Sequence, residues 1–549
     1  MKQTSKENKR RGNQEATIST VYVLLGGLAL GLSYPPFPFP FLSWVALVPL
    51  FLLWDRVESI WRFLAEIYTA FLIAYAIAFF WPLLHTFLRD HPFSETALLS
   101  FGALLLTPLA LSIPFAASLP FLRKKGRPVG LMVFILFYLA VEFGMRHGPL
   151  DFPWPVLGTT QGGLVPLIQF AEYTGVAGLS LWVLLLNAFL FGLFAASRRK
   201  ERISAALAII VLMSMTIGFG HLRRRGVEQH ARYLTVGLVQ PAMTSSAWTE
   251  SFGVPRIRHL ITLSDSLIDA MNAPPIFMIW PEMAIPPSSN ITRQLSMEEQ
   301  IQAWTERRQT ALLTGVLTPD HTQHRADSYY NRAVLYRPEA GIQHYDQVRS
   351  LPFNPSVPLS EQAPWMVSTA RTRFIPGTMQ HTLSYDDMHV GVLLGYEITS
   401  GNYARNYPVK KADFLAALSL DGWWGRIPVY RQHLSFLRLR AIETRRSVIQ
   451  VTASSGTALI APDGSLMYKA PPHEQTAQLV AVPTIDGITL YARFGDWIGW
   501  TALILAGILA VWTLLSGGWQ SLLEPPPSET KEIEEEMLLH NKLLPLART

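Results

Sequence analysis

The apolar positions of this chain fall into two regimes. Through Phe219 they come in long runs: Ala16–Tyr34, Phe41–Trp54, Phe63–Leu84, Thr96–Leu122, Pro128–Phe143, Ala177–Phe194 and Ile203–Phe219. Most approach the length that carries a helix across a bilayer. Phe41–Trp54, at roughly 14 residues, is short and reads as a tilted or partial span. An eighth run, Ile498–Leu515, stands by itself near the C-terminus. The first run has no small-residue cleavage site after it, and further spans follow, so it reads as a span and not as a removable signal.

From Leu234 the period changes. Short β-rich runs alternate with helical stretches: Leu234–Val239, Ile276–Ile279, Ala311–Val316, Ala333–Tyr336, Val390–Leu394, Phe414–Ala417, Val448–Thr452 and Ala458–Ile460. Such alternation predicts an α/β domain whose sheets are covered by helices. Gln432–Arg445 predicts one clear helix, with Leu434, Leu437, Ala441 and Ile442 at helical spacing. Pro358–Gly377 has little pattern and reads as a long loop of the kind that serves as a lid.

Composition supports the membrane assignment. Hydrophobic residues make up 49% and charged residues 16%, against about 25% charge in ordinary soluble chains. Mean hydropathy is +0.21. The net charge of +6 is spread over short clusters, so it speaks to topology and not to nucleic-acid binding. Lys2–Arg11, Arg56 and Arg62, Arg123–Arg127 and Arg198–Arg202 all fall on one side of an eight-span arrangement. By the positive-inside rule that side is cytoplasmic. Arg223, Arg224 and Arg225 fall on the other side, where a long translocated domain is weakly bound by the rule. The expected organisation is a cytoplasmic N-terminus (1–15), a membrane domain (16–221), an extracytoplasmic domain (222–490), a last span (491–516) and a cytoplasmic tail (517–549), in which Lys531–Leu544 could form a short charged helix.

The chain has no cysteine, which excludes disulfides, thiolate metal sites, thiol nucleophiles and lipidated cysteines. No pair of histidines or carboxylates has metal-ligand spacing. We therefore expect neither a metal nor another cofactor.

The ordered motifs narrow the class. VGLVQP, WPEMAIP, YYNRAVLYRPEAG, HYDQVRSLPF, VGVLLGYE, LDGWWG, QHLSFLRLRAIETRR and IAPDG follow one another in the order of the nitrilase superfamily. With seven spans before and one after, the chain resembles the apolipoprotein N-acyltransferase family. The segment Phe152–Gly158, FPWPVLG, looks like a membrane-loop motif of that family. The resemblance implies a polytopic α-helical membrane domain of about eight spans, an extracytoplasmic nitrilase-like α-β-β-α sandwich and a place in a bacterial inner membrane. It also implies a glutamate, lysine and cysteine triad that moves an acyl chain from a phospholipid, through the cysteine, to the N-terminal amine of a lipoprotein. Glutamate takes the thiol proton, sulfur attacks the ester carbonyl and lysine stabilises the oxyanion.

Three of the four active-site positions depart from that pattern. Glu282, in Trp280-Pro281-Glu282, matches the general base. Gln347 stands where the family has lysine, and Gly395 where it has cysteine. A supporting glutamate of a Phe-Gly-Glu run is replaced in Phe353-Asn354-Pro355. Tyr396, Thr399 and Ser400 lie near the lost nucleophile, but alternation and distance along the chain keep them from its place. Trp248, Tyr396, Glu397 and Trp423, the last in Leu420–Gly425, match positions around the family's substrate pocket. Glu282, without its lysine, needs a partner, and Arg349 and Tyr396 are the nearest in sequence. The expectation is a non-catalytic membrane protein that keeps the fold to bind phospholipid, a lipoprotein or a protein partner. The alternative is an active N-acyltransferase of altered chemistry.

Overall fold

The computed structural model describes residues 2–57, 59–81, 95–147, 152–243, 253–270, 275–286, 291–320, 328–349, 373–420, 429–454 and 456–516. Among these, seven helices are long and apolar enough to cross a membrane: Gln14–Ser33, Ile60–Ala78, Leu104–Lys125, Arg127–His147, Ala171–Ala195, Arg199–Gln229 and Trp497–Leu515. The short run Phe41–Trp54 is not one rod. It breaks into a 3-10 turn at Pro40–Trp44, one α turn at Val48–Leu52 and a second 3-10 turn at Leu53–Arg56. Pro40 and Pro49 each remove a backbone donor, which keeps the segment from forming a continuous helix. It still runs most of the way back, because the Arg56 guanidinium lies 5.8 Å from the Tyr22 ring, early in the first span. The helix Arg199–Gln229 continues through the expected boundary at residue 221 and leads straight into the first strand.

The bundle has two unlike ends. At one, Arg127 donates to Ala195 O (2.9 Å) and Arg202 to Ala196 O (2.8 Å). The four basic clusters belong to this end. At the other sits the α/β domain. Gln432 donates to Pro35 O (2.7 Å) and Ala78 O (3.0 Å), and Ser435 to Thr159 O (2.8 Å). Buried ion pairs add to this junction. Glu172, on a span, accepts from Arg223 Nε (2.6 Å) and from Arg445 Nε (2.7 Å) of the domain. Arg445 also donates to Gln169 Oε1 and Pro462 O.

The domain has four layers. One sheet has the order β13-β1-β2-β3-β4-β5, built from β1 (Arg232–Gln240), β2 (Phe277–Ile279), β3 (Ala311–Pro319), β4 (Ser328–Arg337), β5 (Gly341–Asp346) and β13 (Thr476–Thr484), with β6 (Arg373–Phe374) also on β4. The second has the order β12-β11-β10-β9-β8-β7, from β7 (Thr382–Tyr385), β8 (Met388–Leu394), β9 (Phe414–Ser419), β10 (Ser447–Thr452), β11 (Ala458–Ile460) and β12 (Leu466–Lys469). Alternate residues face each other between the sheets: Val236, Leu238, Phe277 and Ile279 meet Val390, Val392, Phe414 and Ala416 in one buried core. The intervening residues face outward. Met278 and Leu312 pack with Ile257, Leu260 and Trp304 of the helices Gly253–Asp269 and Ile291–Arg308. Leu393, Leu415 and Val448 pack with Leu437 and Ala441 of the helix Val429–Thr444. This period of two yields the expected α-β-β-α sandwich, attached to a polytopic membrane domain.

Candidate active site

Three strand ends deliver the site. Glu282 follows β2, Gln347 follows β5 and Gly395 follows β8. All three residues are far apart in sequence, and the facing sheets bring them together. A Cβ placed on Gly395 would lie 3.1 Å from Glu282 Oε1 and 3.6 Å from Gln347 Nε2. A side chain at this position would therefore point between the carboxylate and the amide. Gly395 has φ +47°, a left-handed conformation that costs a residue with a Cβ about 1–2 kcal/mol. The backbone thus holds the bend that would aim a side chain at Glu282, with no side chain there to aim.

The turn carrying Glu282 depends on another glycine. Gly315 N donates to Pro281 O (3.0 Å), and Ile285 N donates back to Gly315 O (3.2 Å). A Cβ on Gly315 would meet Met283 N at 2.5 Å and Glu282 Cα at 2.6 Å, so only glycine lets the turn pack on β3.

Asn331, on β4, links Glu282 and Gln347. Its Nδ2 donates to Glu282 Oε1 (2.7 Å) and to Gln347 Oε1 (3.1 Å). Gln347 Nε2 donates to Leu394 O (2.9 Å), which spends one of its donors on the strand that ends at Gly395. Asn331 was not among the residues singled out from sequence. Its signal in the sequence is weak, one amide in a strand that also carries Ser328, Arg332 and Arg337. The partner expected for Glu282 was Arg349 or Tyr396. The structure gives it Asn331, and Arg349 lies over the rings of Tyr396 (5.1 Å) and Tyr403 (5.5 Å). A guanidinium on two aromatic faces is held by their negative π clouds.

Glu397 was expected to border a ligand pocket. It is instead wholly buried and serves as a strut. Its Oε1 accepts from Tyr345 OH (2.7 Å), Val348 N (2.8 Å) and Arg349 N (3.1 Å), and its Oε2 from Leu394 N (2.9 Å). One carboxyl so ties the chain after Gln347 to the strand before Gly395. Burial pushes it up to about 7, against the downward pull of the same four hydrogen bonds. Because the folded carboxyl binds its proton more tightly than an unfolded one, its contribution to stability is complete below the ordinary glutamate range and is lost as pH rises through about 7. We expect Tm to fall over this window, and the slope to flatten in Glu397→Gln. An unchanged slope in that variant would count against the strut's titration.

The Tyr396 ring lies 5.3 Å from that of Trp154 of the membrane domain at a tilt of 35°, and Trp154 in turn meets Phe436 at 5.7 Å. Thr399 spends its hydroxyl on Tyr396 O (2.8 Å). Trp248, Asp421, Trp423 and Trp424 lie outside the described residues, as do Phe353–Pro355, the 358–372 part of the expected lid and the tail segment Lys531–Leu544. Among the described residues no cluster of His, Asp and Glu could hold a metal ion.

Comparison with known proteins decides the lineage. Residues 26–189 match the family model of the apolipoprotein N-acyltransferase N-terminal domain, and residues 235–492 match that of carbon-nitrogen hydrolases. The chain belongs to the apolipoprotein N-acyltransferase family. It is 27% identical to the apolipoprotein N-acyltransferase of Chlorobaculum tepidum, over 89% of this chain and 95% of that protein. To the apolipoprotein N-acyltransferase of Geobacter metallireducens it is 26% identical, over 89% of this chain and 94% of that protein. The family's two-part architecture is thus present in full.

Proposed function

We propose that this chain is an inner-membrane member of the family that does not form an acyl-enzyme and that binds a phospholipid, a lipoprotein or a protein partner on the retained scaffold. One observation carries the proposal: the direction that a nucleophile's side chain would take leads straight to Glu282, and the residue there has no side chain. Loss of the nucleophile from a comparable triad costs on the order of 10⁶ in turnover. Gln347 removes a full positive charge from the oxyanion side, and charge-assisted hydrogen bonds are roughly twice as strong as neutral ones. Both changes act against catalysis. The domain sits opposite the basic end of the bundle, which supports an extracytoplasmic placement of 222–490 and a cytoplasmic placement of both termini.

A second reading is supported by the aim of Glu282. Its carboxylate faces the vacated space, so it could take a proton from an acceptor amine while that amine attacks the phospholipid ester directly. Incubating the purified protein with phospholipid and a diacylated lipopeptide separates the two. We expect the peptide mass to stay unchanged. A gain of one acyl group that disappears in Glu282→Gln would establish the direct transfer instead.

A further inference from the structure

A second cavity lies where the helix Arg127–His147 meets the domain. Arg146, His147, Thr399, Ser400, Asn402 and Arg440 line it, and neither Glu282, Asn331 nor Gln347 does. Its floor is made of two guanidiniums. Arg440 is 2% exposed. It donates to Thr399 O (3.0 Å) and pairs with Glu443 (2.7 Å). The Arg146 side chain is 9% exposed and pairs with Asp496 (2.6 Å). In each, the Nε hydrogen has no acceptor among the described residues. A buried donor left unsatisfied is costly, the more so when charged. Two such donors line the cavity with the hydroxyl of Ser400 and the amide of Asn402, while carboxyl oxygens of Glu443 and Asp496 beside them are likewise short of donors among the described residues.

We propose that this cavity binds an oxyanion of the phosphate type, supplied either as a free ion or as the headgroup of a phospholipid. The site is separate from the one that lost its nucleophile, and it does not depend on that loss. Its position at the end of a spanning helix is where a headgroup would lie.

The charges around it set a condition. Glu142 and His147 share a helix with Arg146, Glu443 shares one with Arg440, and Asp496 and Tyr491 come from the segment entering the last span. Three carboxyls therefore face two guanidiniums. Burial pushes Glu443 up to about 7, so near neutrality it can take up a proton. An arriving anion favours that protonation, since it removes a like charge. Anion binding should then tighten as pH falls through about 7.

The full chain in detergent micelles, titrated with sulfate, tests this. Sulfate keeps its charge over the whole range, so any pH dependence belongs to the protein. We expect sulfate and inorganic phosphate to raise Tm beyond chloride at equal ionic strength. Arg146→Gln should weaken binding about tenfold or more, as loss of a charge-assisted pair does. Asn402→Asp, at the exposed rim, should do likewise without disturbing either buried pair. Nanodiscs distinguish the source. Stabilisation by phosphatidylglycerol over phosphatidylcholine, lost in Arg146→Gln and with no sulfate effect, assigns the headgroup. Stabilisation by the free ions assigns the soluble anion. Equal responses of the wild type and both variants, or no response to the free ions beyond chloride together with none to phosphatidylglycerol, would overturn the site and leave a cavity that holds only water.

Discussion

Gly395→Cys combined with Gln347→Lys should yield a domain that carries a covalent acyl group. The introduced Cβ would lie 3.1 Å from Glu282 Oε1. That contact is tight, and the Glu282 carboxylate, held by Asn331 Nδ2 at 2.7 Å, must shift by a few tenths of an ångström to admit it. The positive φ at 395 adds about 1–2 kcal/mol of strain, which the four hydrogen bonds of Glu397 are placed to hold. In the variant, Glu282 takes the thiol proton. Sulfur then bonds to the ester carbonyl carbon, the ester C–O bond breaks, and a lysophospholipid leaves. Intact-mass spectrometry after incubation with phospholipid should show one added acyl chain. Gly395→Cys alone, without the lysine charge, should acylate about 10²–10³-fold more slowly, the usual loss for one missing oxyanion donor. A double variant whose thiol reacts with a small alkylating agent but never with phospholipid would mean that the lipid-binding part of the pocket has diverged too.

Glu172→Gln should produce the largest loss of stability. Glu172 is the acceptor shared by Arg223 and Arg445, and Arg445 is buried between a span and the domain. Neutralising it leaves the Arg445 guanidinium buried with only neutral acceptors, Gln169 and Pro462. Breaking one side of a buried ion pair typically costs about 3–5 kcal/mol. The loss should appear as a lower Tm and as faster proteolysis at the junction of bundle and domain. Replacing Glu172 with leucine together with Arg445→Met should recover part of the loss, since the buried guanidinium goes with its partner and only the more exposed Arg223 loses its carboxylate. A Tm unchanged in Glu172→Gln would show that the junction is held by its other contacts.

How much of this was legible in the sequence depends on the physical signal each element carries. The long spans were legible because roughly 20 apolar residues in a row have few other uses. The breaks inside Phe41–Trp54 were legible only as an oddly short run. The central strands announced themselves through Val, Leu and Phe. The strands Gly341–Asp346, Thr382–Tyr385, Leu466–Lys469 and Thr476–Thr484 did not. All four lie at sheet edges, and Leu466–Lys469, Thr382–Tyr385 and Gly341–Asp346 keep much of their surface partly or fully exposed, so their sequences need no apolar run. Glu282, Gln347 and Gly395 could be placed by motif, and the structure brings them together. The tie through Asn331 and the strut at Glu397 could not be read, because both depend on which strand ends face each other across two sheets. Sequence proximity pointed to Arg349 as the partner of Glu282. Packing set Arg349 over two aromatic rings.

The gathering of basic clusters at one end of the bundle has an electrical meaning. In a cell whose interior is negative, moving one elementary charge across the bilayer against the field is worth about 2.3 kcal/mol per 100 mV. Inverting the molecule would carry Arg56, Arg62, Arg123, Lys124, Lys125, Arg127 and the Arg198–Arg202 cluster outward together. In the proposed topology the membrane voltage thus opposes any inversion of the molecule once it is inserted.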